Sequence, residues 1–348
     1  MHFASDNTAG VAPQVMAALQ AANEGHVPSY GADALSDAVR AKIRDLFEAP
    51  EAVVYLVATG TAANALSCAL LSDPWSAIFC HRHAHIQEDE CGAPEFFADG
   101  AKLVLLEGAH GKIDPELMRP VIAHAGGAIH HVQRGMLSIT NATEAGTVYT
   151  PEEVRVLTGI AREYDLPVHM DGARFANALA ATGATPAEMT WKSGVDVLSF
   201  GGTKNGCMGV EAVVIFDPAR AHEFELRRKR AGHLFSKNRF LAAQMLGYLA
   251  GGLWMGLARH ANAMAARLSD GIAAVPGAEL LHPTEANAVF ARFPRRVHRS
   301  LRDAGAQYYL WPFEQSLDGD DDELLAARLV CSWATTEEEV GEFLSHLA

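Results

Sequence analysis

The chain has 348 residues, 49% of them hydrophobic and 20% charged, which suits one large globular domain with a smaller companion. Its formal net charge of -14 argues against nucleic acid or an anionic membrane as partner. No apolar run reads as a transmembrane span, the N-terminus lacks a leader pattern, and the cysteines (Cys68, Cys80, Cys91, Cys207, Cys331) form no CxxC pair, so a cytoplasmic protein with reduced thiols is expected, without a disulfide framework or zinc site.

Residues 1–7 are too polar for a buried strand and too apolar for a free tail. Residues 8–24 read as a helix with Pro13 near its first turn. A loop carrying Pro28, Tyr30 and Gly31 leads to a second helix, in which Val39, Ile43 and Leu46 stand at helical spacing and Ser36 is the expected N-cap. The continuous apolar run 52–57 reads as a strand buried on both faces. Gly60 then gives a sharp turn, and an alanine- and leucine-rich helix starts at Thr61. Free N–H groups and the helix dipole make such a junction an anion site, although a plain β–α turn has the same local sequence. Neither GxGxxG nor a Walker loop is present, so a dinucleotide or nucleoside triphosphate is not indicated.

If the next strand continues through His81, His83 and His85, the three imidazoles lie on one face, which invites a metal reading with Glu88 or Glu90 nearby. The competing reading stacks one histidine on an aromatic cofactor. Strand and helix patterns then alternate (KLVLLEG, DPELMRPVIAHA, GMLSIT, and a helix with Thr150, Pro151 and Glu153 as cap, first residue and capping-box partner). This rhythm predicts a mostly parallel sheet with helices on both faces.

The stretch 168–206 carries the strongest chemical signal. Asp171 ends an apolar strand-like run and is followed by Arg174, and Lys204 sits in a glycine-rich turn after the strand-like run 195–200. Ligands of α/β sheets bind at the carboxyl ends of strands, so both side chains are expected in one crevice. A carboxylate and an amine there suit pyridoxal phosphate (PLP): the lysine condenses with the aldehyde and the carboxylate keeps the pyridine nitrogen protonated. Beyond residue 217 come a basic cluster, ELRRKRAGHLFSKNR, a glycine-interrupted helical region over 240–268, and short strands and helices to the end. The expected division is an N-terminal arm and large PLP-binding domain over 1–245 and a small α+β domain over 246–348.

The segments TGTAAN, HAHIQEDECGAPEFF, TNATEAGTVYTPEEV, HMDGARFANALA and SFGGTKNG, in that order, resemble the low-specificity L-threonine aldolases, and the likeness runs from Ser5 to Trp333. The resemblance implies PLP-dependent transferase fold type I, with a seven-stranded-type sheet in the large domain. It implies retro-aldol cleavage of L-threonine, L-allo-threonine or relatives such as phenylserine to glycine and an aldehyde. Another reaction of the same scaffold (β-elimination, transamination, serine hydroxymethyl transfer) and a cofactor-free or metal-binding scaffold are the alternatives. Residue by residue, the likeness implies Lys204 as the Schiff-base lysine and Asp171 on the pyridine nitrogen. His85 would stack on the ring and serve proton transfer, directly or through water, and Gly60 and Thr61 would hold the phosphate. Ser5, Arg174 and Arg328 would hold the substrate carboxylate. Tyr30 and Lys229 would reach the site, Lys229 toward the cofactor, from a neighbouring subunit of a homodimer or a tetramer built of dimers. The sequence departs from the family pattern twice. A second histidine of some members is missing where Thr140 and Thr143 stand, and Ser236, followed by Lys237, occupies the place of a phosphate-binding arginine.

Overall fold

The computed structural model of the protein describes residues 1–347. Seven strands, β1 (Val53–Val57), β2 (Ser76–His81), β3 (Lys102–Leu106), β4 (Gln133–Thr140), β5 (Val168–Gly172), β6 (Val197–Gly201) and β7 (Glu211–Ile215), form one sheet in the order β1-β7-β6-β5-β4-β2-β3. Pairing is parallel from β3 through β6, and β7 alone runs against its neighbours β6 and β1. β5, β6 and β7 are buried along their whole length, as strands covered on both faces are. Four shorter strands, β8 (Glu279–Leu280), β9 (Ala288–Pro294), β10 (Tyr309–Leu310) and β11 (Leu324–Val330), make a second, antiparallel sheet in the order β10-β11-β9-β8. The two sheets have separate apolar cores.

Several local expectations change. The first helix is Pro13–Ala21, preceded by a separate turn at Asp6–Thr8; proline at the first helical position has no N–H to lose, and it sets the start. Asp33, not Ser36, caps helix Ala34–Leu46: its carboxylate accepts from the Ser36 N–H at 3.0 Å and from the Ser36 hydroxyl at 2.8 Å. Residues 1–3 run beside the second sheet. Phe3 is fully buried in the second core; its N–H donates to the Gln307 carbonyl at 2.7 Å and its carbonyl accepts from Val330 N–H at 2.8 Å.

The long helical region is two helices, Arg239–Leu249 and Leu253–Ala273, separated at Gly251 and Gly252, whose φ values of 57° and 75° favour glycine. A window of this stretch has mean hydropathy 1.3, enough by length and composition for a membrane span, but half of it is buried within the protein. Its role here is packing: Tyr248 and Trp254 lie against Phe200 at the end of β6.

Candidate active site

A cavity of about 410 Å³ opens at the carboxyl ends of β4, β5 and β6, and Thr140, Asp171, Lys204, Gly60, Thr61 and His85 are among the residues lining it. The Lys204 turn, Thr203–Asn205, is clamped from two sides. The Gly202 N–H donates to Glu211 Oε2 at 2.8 Å and Val210 N–H to Thr203 Oγ1 at 3.1 Å; Asn205 Nδ2 donates to the Tyr248 hydroxyl and to the Trp254 carbonyl. A side chain at Gly201 would collide with the Ala173 carbonyl, so glycine is what lets this turn sit against the end of β5. The amine of Lys204 has no hydrogen-bond or ion-pair partner among the described residues. Burial, helped by the nearby Arg174 cation, lowers its pKa, which favours the neutral, nucleophilic form.

Asp171 is buried, with Oδ1 accepting from Ala173 N–H at 2.9 Å and Oδ2 from Asn64 Nδ2 at 2.8 Å. Across the cavity, Thr59 caps helix Gly60–Leu71 by accepting from Ala62 N–H at 3.2 Å. The N–H groups of Gly60 and Thr61, in the first turn, have no intrahelical acceptor. A Cβ at Gly60 would meet no protein atom within 4 Å, so its absence leaves room for an anion beside those donors.

His85 does not continue a strand. β2 ends at His81, and His85 is the first residue of the short helix His85–Glu88. The three imidazoles therefore do not share one face: His81 Nε2 lies 3.1 Å from the Gly108 carbonyl oxygen, exposed His83 pairs with Glu88 at 2.8 Å, and only His85 reaches the cavity. His85 Nδ1 lies 2.8 Å from Glu90 Oε1, which also accepts from the same Asn64 amide that bonds Asp171. The amide nitrogen can only donate, so an ionised Glu90 accepts on both sides and His85 carries its proton on Nδ1, leaving Nε2 to face a ligand.

The Glu90 hydrogen bond raises the His85 pKa above the ordinary imidazole value, with burial opposing and Asp171 assisting, while burial raises Glu90 itself. Glu90→Gln is accordingly expected to lower the His85 pKa, so that the imidazolium is lost at a lower pH; a ¹⁵N titration of the histidine side chains reads this, and an unmoved His85 pKa would contradict the relay.

A second cavity of about 190 Å³ adjoins the first and adds Ser5, Asn287, Trp311 and Arg328 to the lining. Arg328, on β11, has its guanidinium 4.5 Å from the Trp311 ring centroid and 5.3 Å from that of Tyr309, and its Nε is buried without a hydrogen-bond partner among the described residues. Arg174 is differently placed than the sequence suggests. Its Nε and Nη2 form a fork on Asp6, at 2.7 and 3.0 Å, and Asn287 Nδ2 donates to the same carboxylate at 3.1 Å. Arg174 thus reaches the cavity already committed to Asp6, whereas Arg328 keeps an unused donor. Ser5 accepts from Asn7 N–H at 3.1 Å, which leaves its hydroxyl proton free to donate into the second cavity.

Tyr30 and Lys229 stay outside both cavities of their own chain. The Lys229 amine lies 5.1 Å from the Tyr30 ring centroid, and Tyr30, at φ 59°, is half exposed and bonded through its N–H to the Ser236 carbonyl. An open apolar depression lined by Met16, Phe235, Phe240 and Met208 is continuous with the first cavity through Ala58, Met208 and Gly209.

Asp6, Asn64, Glu90, Glu144 and Glu211 also belong to the site, and sequence reasoning did not assign them roles there. Glu90, five residues after His85, carried the only usable signal, and it was read toward metal binding.

The beta-eliminating lyase family model matches residues 2–294 of the chain. A low specificity L-threonine aldolase of Pseudomonas sp. (strain NCIMB 10558) is 41% identical over 345 residues, covering 99% of this chain and 96% of that one. A protein of the same name from Pseudomonas aeruginosa is 42% identical over 340 residues, covering 98% and 95%. The structure of Leishmania major threonine aldolase superposes with a TM-score of 0.91 at 29% identity, covering 99% of this chain and 98% of that one. With that sheet order, the cavity at its strand ends and these relatives, the chain belongs to the low-specificity L-threonine aldolases, enzymes of the beta-eliminating lyase family with the fold-type I PLP architecture.

Proposed function

We propose that the protein binds PLP and cleaves L-threonine, L-allo-threonine and related β-hydroxy-α-amino acids, such as phenylserine, to glycine and an aldehyde. The observation that carries this reading is a half-buried, unpartnered Lys204 amine opening on the same cavity as the Asp171 carboxylate and a free helix N-terminus. The donor set fits the cofactor: Lys204 for its aldehyde, Asp171 for its ring nitrogen, Gly60 and Thr61 for its phosphate. When bound, PLP supplies an electron sink for the pair left on the substrate Cα.

The rest is the work of the chain. Lys204 would hold the cofactor through its amine until a substrate amine takes that place. Asp171, fixed by Asn64 and Ala173 N–H, holds positive charge opposite its carboxylate. His85, its Nδ1 held by Glu90, would lie beside the cofactor and keep Nε2 for the substrate. Ser5 and Arg328, with Arg174 beside them, hold the substrate carboxylate and so choose which Cα bond stands in position to break. Substitution of Arg328 by lysine is expected to raise KM for threonine roughly tenfold, because a point charge replaces a planar donor pair. Steady-state kinetics test this, and an unchanged KM would remove Arg328 from the clamp.

We further propose cytoplasmic action as a homo-oligomer, a dimer or a tetramer of dimers, in which a second copy supplies Tyr30 and Lys229. The apolar depression next to the cavity and the exposure of Tyr30 support this. Within each chain, residues 1–245 and 246–348 act as large and small domains, with residues 1–3 joined to the small one. Incubation with L-threonine, L-serine and an amino-donor/keto-acid pair tests the reaction class. Aldehyde and glycine from threonine are expected; ammonia with a keto acid, or amino transfer, would assign a different reaction of this fold.

A further inference from the structure

Four titratable side chains line both cavities: His85, Glu144, Arg174 and Lys204. Arg174 is bound to Asp6, His85 has one nitrogen on Glu90, and Lys204 and the His85 ring would be taken up by the cofactor. Glu144 has no such commitment. Its Oε1 accepts from the His85 backbone N–H at 2.7 Å, which fixes the carboxyl, and its Oε2 is buried without a hydrogen-bond partner among the described residues. The loop that carries it is rigidly held: Asn141 brackets Tyr149 through both backbone groups at 3.1 Å, and the hydroxyls of Thr143 and Thr147 lie 2.7 Å apart. An orphaned carboxyl oxygen is costly to bury, and Glu144 lines both the cavity of the Lys204 amine and the adjoining cavity that holds Arg328.

We propose that Glu144, through Oε2, is the base that takes the proton from the substrate's β-hydroxyl, an assignment that rests on the aldolase reading above. In the step, the hydroxyl proton passes to the ionised carboxyl and the O–H pair becomes the second C–O bond of the aldehyde. The Cα–Cβ bond breaks and leaves its electron pair at Cα, which then takes up a proton to give glycine. No oxidant, reductant or water is consumed. The groups facing Glu144 are Asp171, Arg174, Lys204, His85 and the Thr140 hydroxyl at the cavity, with Cys80 and Tyr149 behind. Burial pushes the Glu144 carboxyl up to about 7, with the Asp171 charge adding to the effect. A base with that affinity is about half ionised at neutral pH, and cleavage should rise as pH climbs through this value.

The test compares two reactions of the same PLP-loaded enzyme, wild type and Glu144→Gln. Aldehyde release from L-threonine needs the hydroxyl proton removed, whereas exchange of the glycine α-proton with deuterated water uses the same lysine, carboxylate clamp and cofactor and no hydroxyl. The expected result is a fall of about 100-fold or more in aldehyde release with exchange within about threefold of wild type. Glu144→Asp, which keeps a carboxylate, should recover part of the loss. In the cofactor-free protein, a carboxylic-acid carbonyl band in the infrared should titrate near neutrality and vanish in Glu144→Gln. An equal fall in both reactions would reduce Glu144 to an anchor for the His85 helix, and unimpaired cleavage would overturn the assignment alone. A wild type that exchanges glycine but releases no aldehyde from any β-hydroxy amino acid would overturn the aldolase reading and this assignment with it.

Discussion

Lys204→Ala is expected to lose borohydride-stable attachment of PLP and to cut threonine cleavage roughly 10³-fold or more. The argument is one of position and charge. Lys204 is the only lysine lining the two cavities, its turn is locked by Glu211, Thr203 and Asn205, and burial with the Arg174 cation lowers its pKa. Each factor favours a neutral amine directed at the cavity, and alanine removes the amine while leaving the locks in place. Mass spectrometry of the reduced protein checks the attachment: wild type should carry the cofactor mass on the Lys204 peptide and the variant none. Cofactor mass on a different lysine of the wild type would refute this role.

Asp171→Asn is expected to lower the rate about 10²–10³-fold with the fold intact. The native carboxylate accepts on both oxygens, from Ala173 N–H and from Asn64 Nδ2. An asparagine can keep one of these bonds. Its amide nitrogen would then face either the Asn64 amide or the Ala173 N–H, donor against donor, and no negative charge would remain to hold a proton on the cofactor ring. The loss should appear mainly in kcat, because the carboxylate clamp at Ser5 and Arg328 is on other elements. Steady-state kinetics with the thermal midpoint as a folding control decide it: a wild-type kcat would mean that Asp171 only supports the β5 turn.

Why was so much of this legible in the chain itself? Asp171 and Lys204 each follow a mostly apolar, strand-like run, and interior parallel strands deliver their carboxyl ends to one crevice. Gly60 and Thr61 follow the same logic at the start of a helix. The misses share a cause. Asp6 and Arg174, Glu90 and His85, and Asn64 and Asp171 are brought together by packing across 168, 5 and 107 positions, and only the shortest of these separations leaves a local pattern. The Asp6 partner that orients Arg174 was therefore not legible in the sequence. The condition that β2 continues through His85 does not hold, because the apolar run of β2 does not announce where the strand ends. Phe3 looked like part of an arm because one apolar residue among polar neighbours carries no periodicity, and its burial depends on β11, more than 300 residues away.

The central claim, that this cavity breaks the Cα–Cβ bond of a β-hydroxy amino acid, is tested most directly by following L-threonine labelled with ¹³C at Cα through the PLP-loaded protein by NMR. The expected result is label appearing in glycine, with one acetaldehyde formed for each glycine. Label appearing in 2-oxobutanoate with release of ammonia would show that the Cα–Cβ bond survives, and would contradict the claim.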